Sequence, residues 1–184
     1  MQATAAKATK TTWAIDPSHS ELLFKVKHLM ITNVKGEFRN FSGTIESDGN
    51  DFRDAEVKVT INAGSIFTND VSRDGHLKGA DFFDTEHYPE LTFEGSTFKK
   101  LDDANYQLKG LLTIKDVSKM VTLDVEFGGL TKDPWGNQKA GFSISGKINR
   151  KEWGLNWNAA LEAGGVMVSD EVRIQAEVQL VLGK

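Results

Sequence analysis

The chain has 184 residues, 39% of them apolar and 26% charged, and a formal net charge of −4. That profile fits one globular domain with its own core, and the acidic balance argues against counterion-driven binding of nucleic acid. There is no cysteine, which excludes disulfides, thiolate metal sites and a cysteine nucleophile. No apolar run approaches the roughly 18 residues a membrane-crossing helix needs, so no stable membrane insertion is expected.

Residues 1–12 are small and polar, with Lys7 and Lys10, and are expected to form a disordered or extended tail. They lack the apolar stretch of a signal peptide. A cytoplasmic location is expected, with a periplasmic one as the alternative if a signal has been removed. The remainder, 13–184, is read as one domain.

Period-2 alternation dominates that domain. A first weak strand is expected at 12–16. At 20–28, Leu22, Phe24, Val26 and His28 share one face, and Glu21, Leu23, Lys25 and Lys27 the other. A single strand is expected over 36–47. Ala55, Val57, Val59 and Ile61 alternate with polar residues, as do Val121, Leu123, Val125 and Phe127, and later Val172, Ile174, Ala176, Val178 and Leu180. Weaker strands are expected at 91–99, 106–115 and 140–149. Turn residues at 47–50, 101–105 and 133–137 separate them. The total is about eight or nine strands.

Two segments break the pattern. Across 65–90, Asp70 can cap a short helix over 71–78 that Gly79 ends. The other, 151–165, is rich in Trp, Asn and Ala and reads as a long connection. Strands this numerous and long favour a mostly antiparallel barrel, with a β-sandwich as the competitor. The glycines at 36, 43, 110, 128, 129, 141 and 146 are expected to mark the bends or bulges that closure requires.

Four histidines are candidates for chemistry: His19, His28, His76 and His87. On an extended strand Ser18, His19 and Ser20 point to alternating faces and form no relay. His28 and His76 can approach one another at a barrel mouth, but a metal site needs three or four converging ligands. Arg73, Asp74 and His76 lie between Phe67 and Phe82-Phe83. They read either as a network that locks the helix to the rim or as contacts for a polar head group. Phe24, Phe93, Phe127 and Phe142 point inward by alternation. Phe38 and Phe41 face opposite ways unless a bulge intervenes. A filled and a hollow barrel both fit these aromatics.

Several stretches, in order from Trp13 to the C-terminus, resemble the YceI-like family of polyisoprenoid-binding, lipocalin-like bacterial proteins. They include Trp13-Ala14-Ile15-Asp16-Pro17-Ser18-His19-Ser20, Arg73-Asp74-Gly75-His76-Leu77, Asp81-Phe82-Phe83-Asp84, Ile148-Asn149-Arg150, Trp153-Gly154-Leu155 and Val168-Ser169-Asp170-Glu171-Val172. The resemblance implies an all-β fold: an eight-stranded antiparallel barrel with a short α-helix near one opening. The implied ligand is a long isoprenoid, a prenyl quinone or prenyl phosphate, held as carrier, store or sequestering agent. A fatty acid or fatty amide is the alternative ligand, and a non-catalytic structural dimerisation module the alternative role. Members are often homodimers, and the family has no shared catalytic motif. No cofactor is implied beyond the bound lipid. Expected lining residues are Leu22, Phe24, Val26, Phe38, Ile45, Phe93, Leu112, Ile114, Phe127, Phe142 and Ile144. Arg73, His76 and Trp157 are expected at the mouth, and Trp153, larger than the usual aromatic at its position, is expected to alter the pocket.

Overall fold

Alternating side chains become strands wound into one closed sheet. The computed structural model describes residues 10–162 and 164–183. Its strands are β1 (Thr11–Ile15), β2 (Glu21–His28), β3 (Thr32–Phe38), β4 (Phe41–Asp48), β5 (Asp51–Asn62) and β6 (Ile66–Phe67). A helix, α1 (Val71–Lys78), follows, and then β7 (Glu90–Lys100), β8 (Asn105–Ile114), β9 (Val117–Lys132), β10 (Gln138–Asn149) and β11 (Glu171–Leu182). The spatial order is β1-β4-β5-β7-β8-β9-β10-β11-β2-β3-β6, with β1 also paired to β11.

Register reduces these strands to eight staves. β1 pairs with β4 (Trp13 opposite Ile45) while β2 pairs with β3 (Leu22 opposite Phe38), so β1 and β2 form one stave and β3 and β4 the next. β5 and β6 form the third, since β4 pairs with β5 and β3 with β6. β11 closes the ring along both halves of the first stave, with Leu180 opposite Ile15 and Ala176 opposite Leu22. Consecutive staves are neighbours all the way round, an up-and-down barrel that leaves no long free edge. Among the described residues, no helix is long and apolar enough to cross a membrane.

The three breaks have local causes. Asp16 caps a 3-10 turn at Pro17–His19, where proline lacks the N–H a ladder needs. Asn62 caps a second turn at Ala63–Ser65 by accepting the Gly64 N–H. Between Phe38 and Phe41 the chain leaves the ladder, and the Asn40 N–H donates to the Ser65 hydroxyl. The single strand expected over 36–47 is therefore two strands, because the Arg39 and Asn40 N–H groups both turn to Ser65 in the second turn. That interruption turns both Phe38 and Phe41 toward the core.

Residues 1–9 of the expected tail lie outside the described residues, and Thr11 and Thr12 already pair with Ser47 and Glu46. Helix α1 matches its expected span. The Asp70 carboxylate accepts the Arg73 N–H at 2.9 Å, and the Gly79 N–H donates to the His76 carbonyl at 3.1 Å.

The glycines divide into two groups. The register of β9 and β10 slips at Gly141/Phe142, and Gly129 sits at φ +119 on the partner strand, so that group makes a bulge. Gly36 and Gly110 do something else. A Cβ at Gly36 would come within 2.1 Å of the Phe24 ring, and one at Gly110 within 2.4 Å of the Phe93 ring. The outer end of each ring rests against a bare stretch of the barrel wall, where a side chain would collide with it.

One end of the barrel is filled. Phe52 packs against Trp13, Phe127 and Phe142 at ring separations of 5.3, 5.7 and 5.0 Å, and Phe98 stacks on Tyr106 at 4.7 Å. Trp13 is fully buried, and its indole N–H donates to the Ser47 hydroxyl at 2.9 Å. These rings form a floor at the end that carries the β4–β5, β7–β8 and β9–β10 turns.

Candidate functional site: a lumen with a latched mouth

Above the floor the barrel is hollow. The cavity measures about 550 Å³ and its wall is overwhelmingly apolar, a size that holds one elongated small molecule. The expected residues Leu22, Phe24 and Val26 on β2, Phe38 on β3 and Ile45 on β4 face it. So do Phe93 on β7, Leu112 and Ile114 on β8, and Phe142 and Ile144 on β10. These positions were readable because each lies on the inward phase of a regular strand. Missed lining positions include Val59, Ile61, Leu77 and Phe83.

Two expectations are corrected. Phe127 does not line the cavity. It lies in the floor, 5.1 Å from Phe142 and 5.7 Å from Phe52, and these two rings, which do line the cavity, cover it. The β9–β10 bulge beside Phe142 sets that height. Trp153 also stays out of the cavity. It is buried in a 3-10 turn beyond β10, and its indole N–H donates to the Leu112 carbonyl at 2.9 Å.

The opposite end is the mouth. Arg73, His76 and Trp157 all reach it, together with Lys27, His28, Thr68, Asp70 and Ser72. His76 meets Trp157 edge-on at 4.8 Å and Phe82 at 5.1 Å, and its Nε2 lies 2.9 Å from Asp81 Oδ2. The buried Asp74 carboxylate accepts the Thr68 N–H at 2.9 Å and the Thr68 hydroxyl. Arg73 donates to the Thr68 hydroxyl at 2.8 Å and to the Thr68 carbonyl at 2.6 Å. This network locks α1 to the chain entering it. Arg73 takes part in that lock and still lines the mouth, so the two roles proposed for it are compatible.

The residue that sequence reasoning passed over is Arg150, 3% exposed at the end of β10. Its guanidinium donates to the carbonyls of Ser169 (2.9 Å), Leu155 and Trp157 (2.9 Å), with Asp170 at 3.8 Å. Burial pushes its pKa down, and the charge of Asp170 opposes that shift. Asp170 Oδ1 is itself buried without a hydrogen bond. One planar cation thus gathers both ends of the connection from Leu155 to Asp170 and holds Trp157 over the mouth. The available signal was an arginine between Ile148 and Trp153, with an acid across the loop.

The Ser18–His19 pair is a turn and not a relay. Ser18 and His19 do converge, contrary to the alternation argument, because they sit on a turn and not on a strand. Yet Asp16 Oδ2 (2.9 Å) and the Ser18 hydroxyl (3.1 Å) both approach His19 Nδ1. A relay needs the acid and the nucleophile on different ring nitrogens. The group is a turn cap outside the lumen. Among the described residues, no three His, Asp or Glu side chains cluster to hold a metal ion.

The YceI-like domain model matches residues 13–180. The chain belongs to the YceI-like family. The UPF0312 protein of Staphylococcus aureus strain N315 is 39% identical over 175 residues, which cover 95% of this chain and 99% of that protein. The Campylobacter jejuni YCEI protein is 36% identical, with a TM-score of 0.74 over 87% of this chain and 91% of that one. Two more distant structures share the fold. Burkholderia cenocepacia BcnA has a TM-score of 0.78 at 23% identity, covering 90% of this chain and 98% of that one. A polyisoprenoid binding domain from Saccharophagus degradans has a TM-score of 0.70 at 16% identity, covering 93% and 98%.

Proposed function

We propose that this YceI-like barrel binds one long isoprenoid chain in its lumen, tail toward the aromatic floor and head group at the mouth, as a carrier or sequestering protein without catalytic activity. The observation that carries this reading is the cavity of about 550 Å³, walled by aliphatic and phenylalanine side chains and closed at one end. The polyisoprenoid binding domain of Saccharophagus degradans, with the same fold, supports the ligand class. The hollow interior disfavours a purely structural module. Each buried CH₂ contributes ~0.8 kcal/mol, so a tail of a few isoprene units gains on the order of 10 kcal/mol before the cost of immobilising it. Lys27, Arg73 and His76 at the mouth suit an anionic or hydrogen-bonding head group, as in a prenyl phosphate or prenyl quinone.

Fluorescence titration with prenyl phosphates and prenyl quinones of increasing length tests the reading, with fatty acids as comparators. Affinity is expected to rise with each isoprene unit until the lumen is full, and then to level off. Absence of saturable binding at every length, or a preference for fatty acids, overturns the isoprenoid assignment.

A further inference from the structure

We propose that the β2–β3 hairpin is a docking device for the surface of an anionic lipid bilayer, placed so that the barrel mouth faces the membrane. The first observation is a row of cations in register across four strands. Lys147 on β10 lies opposite Arg173 on β11, Arg173 opposite Lys25 on β2, and Lys25 opposite Lys35 on β3. Their neighbours in sequence, Ile148, Val172, Phe24 and Val34, line the lumen, so these four project outward. Adjacent strands are ~4.8 Å apart, which sets four like charges across ~14 Å of wall. Directly opposed like charges destabilise a sheet. Among the described residues, only Arg173 of the four has an acidic partner, Glu171 at 3.4 Å. A protein of net charge −4 that concentrates unpaired cations in one row presents a local surface for an anionic partner.

The second observation is the tip of the same hairpin. Leu29 and Met30 hold positive φ, +52 and +60, where glycine and asparagine are the usual occupants. The tip thus keeps apolar side chains at a backbone cost. Met30 is 49% exposed and Ile31 77% exposed. The base of the tip, Val26 and His28, lines the cavity, as does Lys27. An apolar tip flanked by cations is the form of a peripheral membrane anchor, and its continuity with the mouth gives the docked barrel a dry route for a lipid tail. Acids stand on the segment from Asp70 to Glu86, while Asp170 and Glu171, beside the hairpin, are already paired with Arg150 and Lys151 and with Arg173, which leaves the hairpin as the side that leads toward a negative surface.

Flotation of the full chain with phosphatidylcholine vesicles, and with vesicles of phosphatidylcholine and phosphatidylglycerol mixed about 70:30, tests the inference. Binding is expected to the anionic vesicles only, and to fall as NaCl is raised from about 0.05 to 0.5 M. Removing a lysine near an anionic surface weakens binding about fivefold, so the Lys25→Ala/Lys35→Ala double variant is expected to bind about 25-fold more weakly. Ile31→Ser, at an exposed site that leaves the fold intact, is expected to weaken it further. No vesicle binding, equal binding to neutral vesicles, or unchanged binding by both variants overturns the inference. Self-association through this hairpin without vesicle binding assigns the surface to a second copy of the chain. The readout needs no lumen cargo, so vesicle binding by a protein that takes up no isoprenoid retains the docking role and removes the cargo reading.

Discussion

The His76 ring meets the Trp157 ring at 90° with their centres 4.8 Å apart, and through this contact α1 and the connection beyond β10 close over the barrel mouth together. Phe82 joins them, 5.5 Å from Trp157. Such ring pairs are worth ~0.5–1.5 kcal/mol each. Trp157→Ala is therefore expected to speed release of a bound prenyl probe roughly tenfold while the melting temperature changes little, because Trp157 is only half-buried. Stopped-flow displacement of a fluorescent isoprenoid measures it.

Arg150 is expected to govern the order of the whole connection from Leu155 to Asp170. Arg150→Met leaves buried carbonyls without their donor and Asp170 without the buried charge beside it, at a cost of about 3–5 kcal/mol. Arg150→Lys recovers little of it, since a single ammonium cannot reach the carbonyls that a planar fork spans. Urea denaturation gives the stability, and hydrogen exchange is expected to show lost protection at the Leu29 and Ser169 amides, which donate to Met167 and Lys27.

The hollow interior depends on where the phenylalanine rings rest. Gly36→Ala places a methyl group against the Phe24 ring and is expected to tilt that ring into the lumen. Long isoprenoids are then expected to bind at least several-fold more weakly with little loss of stability. Phe127→Trp acts on the floor: overpacking costs about 1–3 kcal/mol while ligand affinity is largely retained. Paired thermal melts and binding titrations separate the two outcomes.

Asp16 ties the break between β1 and β2 to β10. Its carboxylate accepts from the Ser18 hydroxyl at 2.6 Å, pairs with His19, and meets Lys139 at 3.1 Å. These contacts, the Ser18 hydrogen bond first, hold its pKa well below the ordinary carboxylate range. A group whose pKa is lowered by folding contributes stability above its unfolded pKa of ~3.9 and loses it as the pH falls through the lower folded value. Asp16→Asn is expected to cost about 1–2 kcal/mol at neutral pH. The gap to the native protein is expected to close below about pH 4, as measured by denaturation across pH.

The staves were legible where one face of a strand meets the lumen and the other meets water, as at Val121–Val125 or Val172–Leu180, because burial then enforces a period of two. Helix α1 was legible from Asp70 and Gly79 alone. The breaks at Pro17 and at Arg39-Asn40 were not, since each depends on a partner distant in sequence, Gln179 or Ser65. The inward phase identified most of the lumen wall but not its depth. Phe127 obeys the alternation and still falls below the cavity, because height along the axis is set by a bulge that periodicity does not reveal. Arg150 escaped for a related reason: its partners are backbone carbonyls, which carry no residue signature. The glycines at 36 and 110 read as bends in sequence, and their use as resting places for rings emerges only from cross-strand register.

Native mass spectrometry of the protein, purified without detergent or organic solvent from the cells that make it, bears most directly on the lumen. One small apolar molecule of isoprenoid composition per chain, lost on solvent extraction and regained when a prenyl lipid is supplied, is the result this account predicts. A bare polypeptide mass that stays bare when prenyl quinones and prenyl phosphates are offered contradicts it.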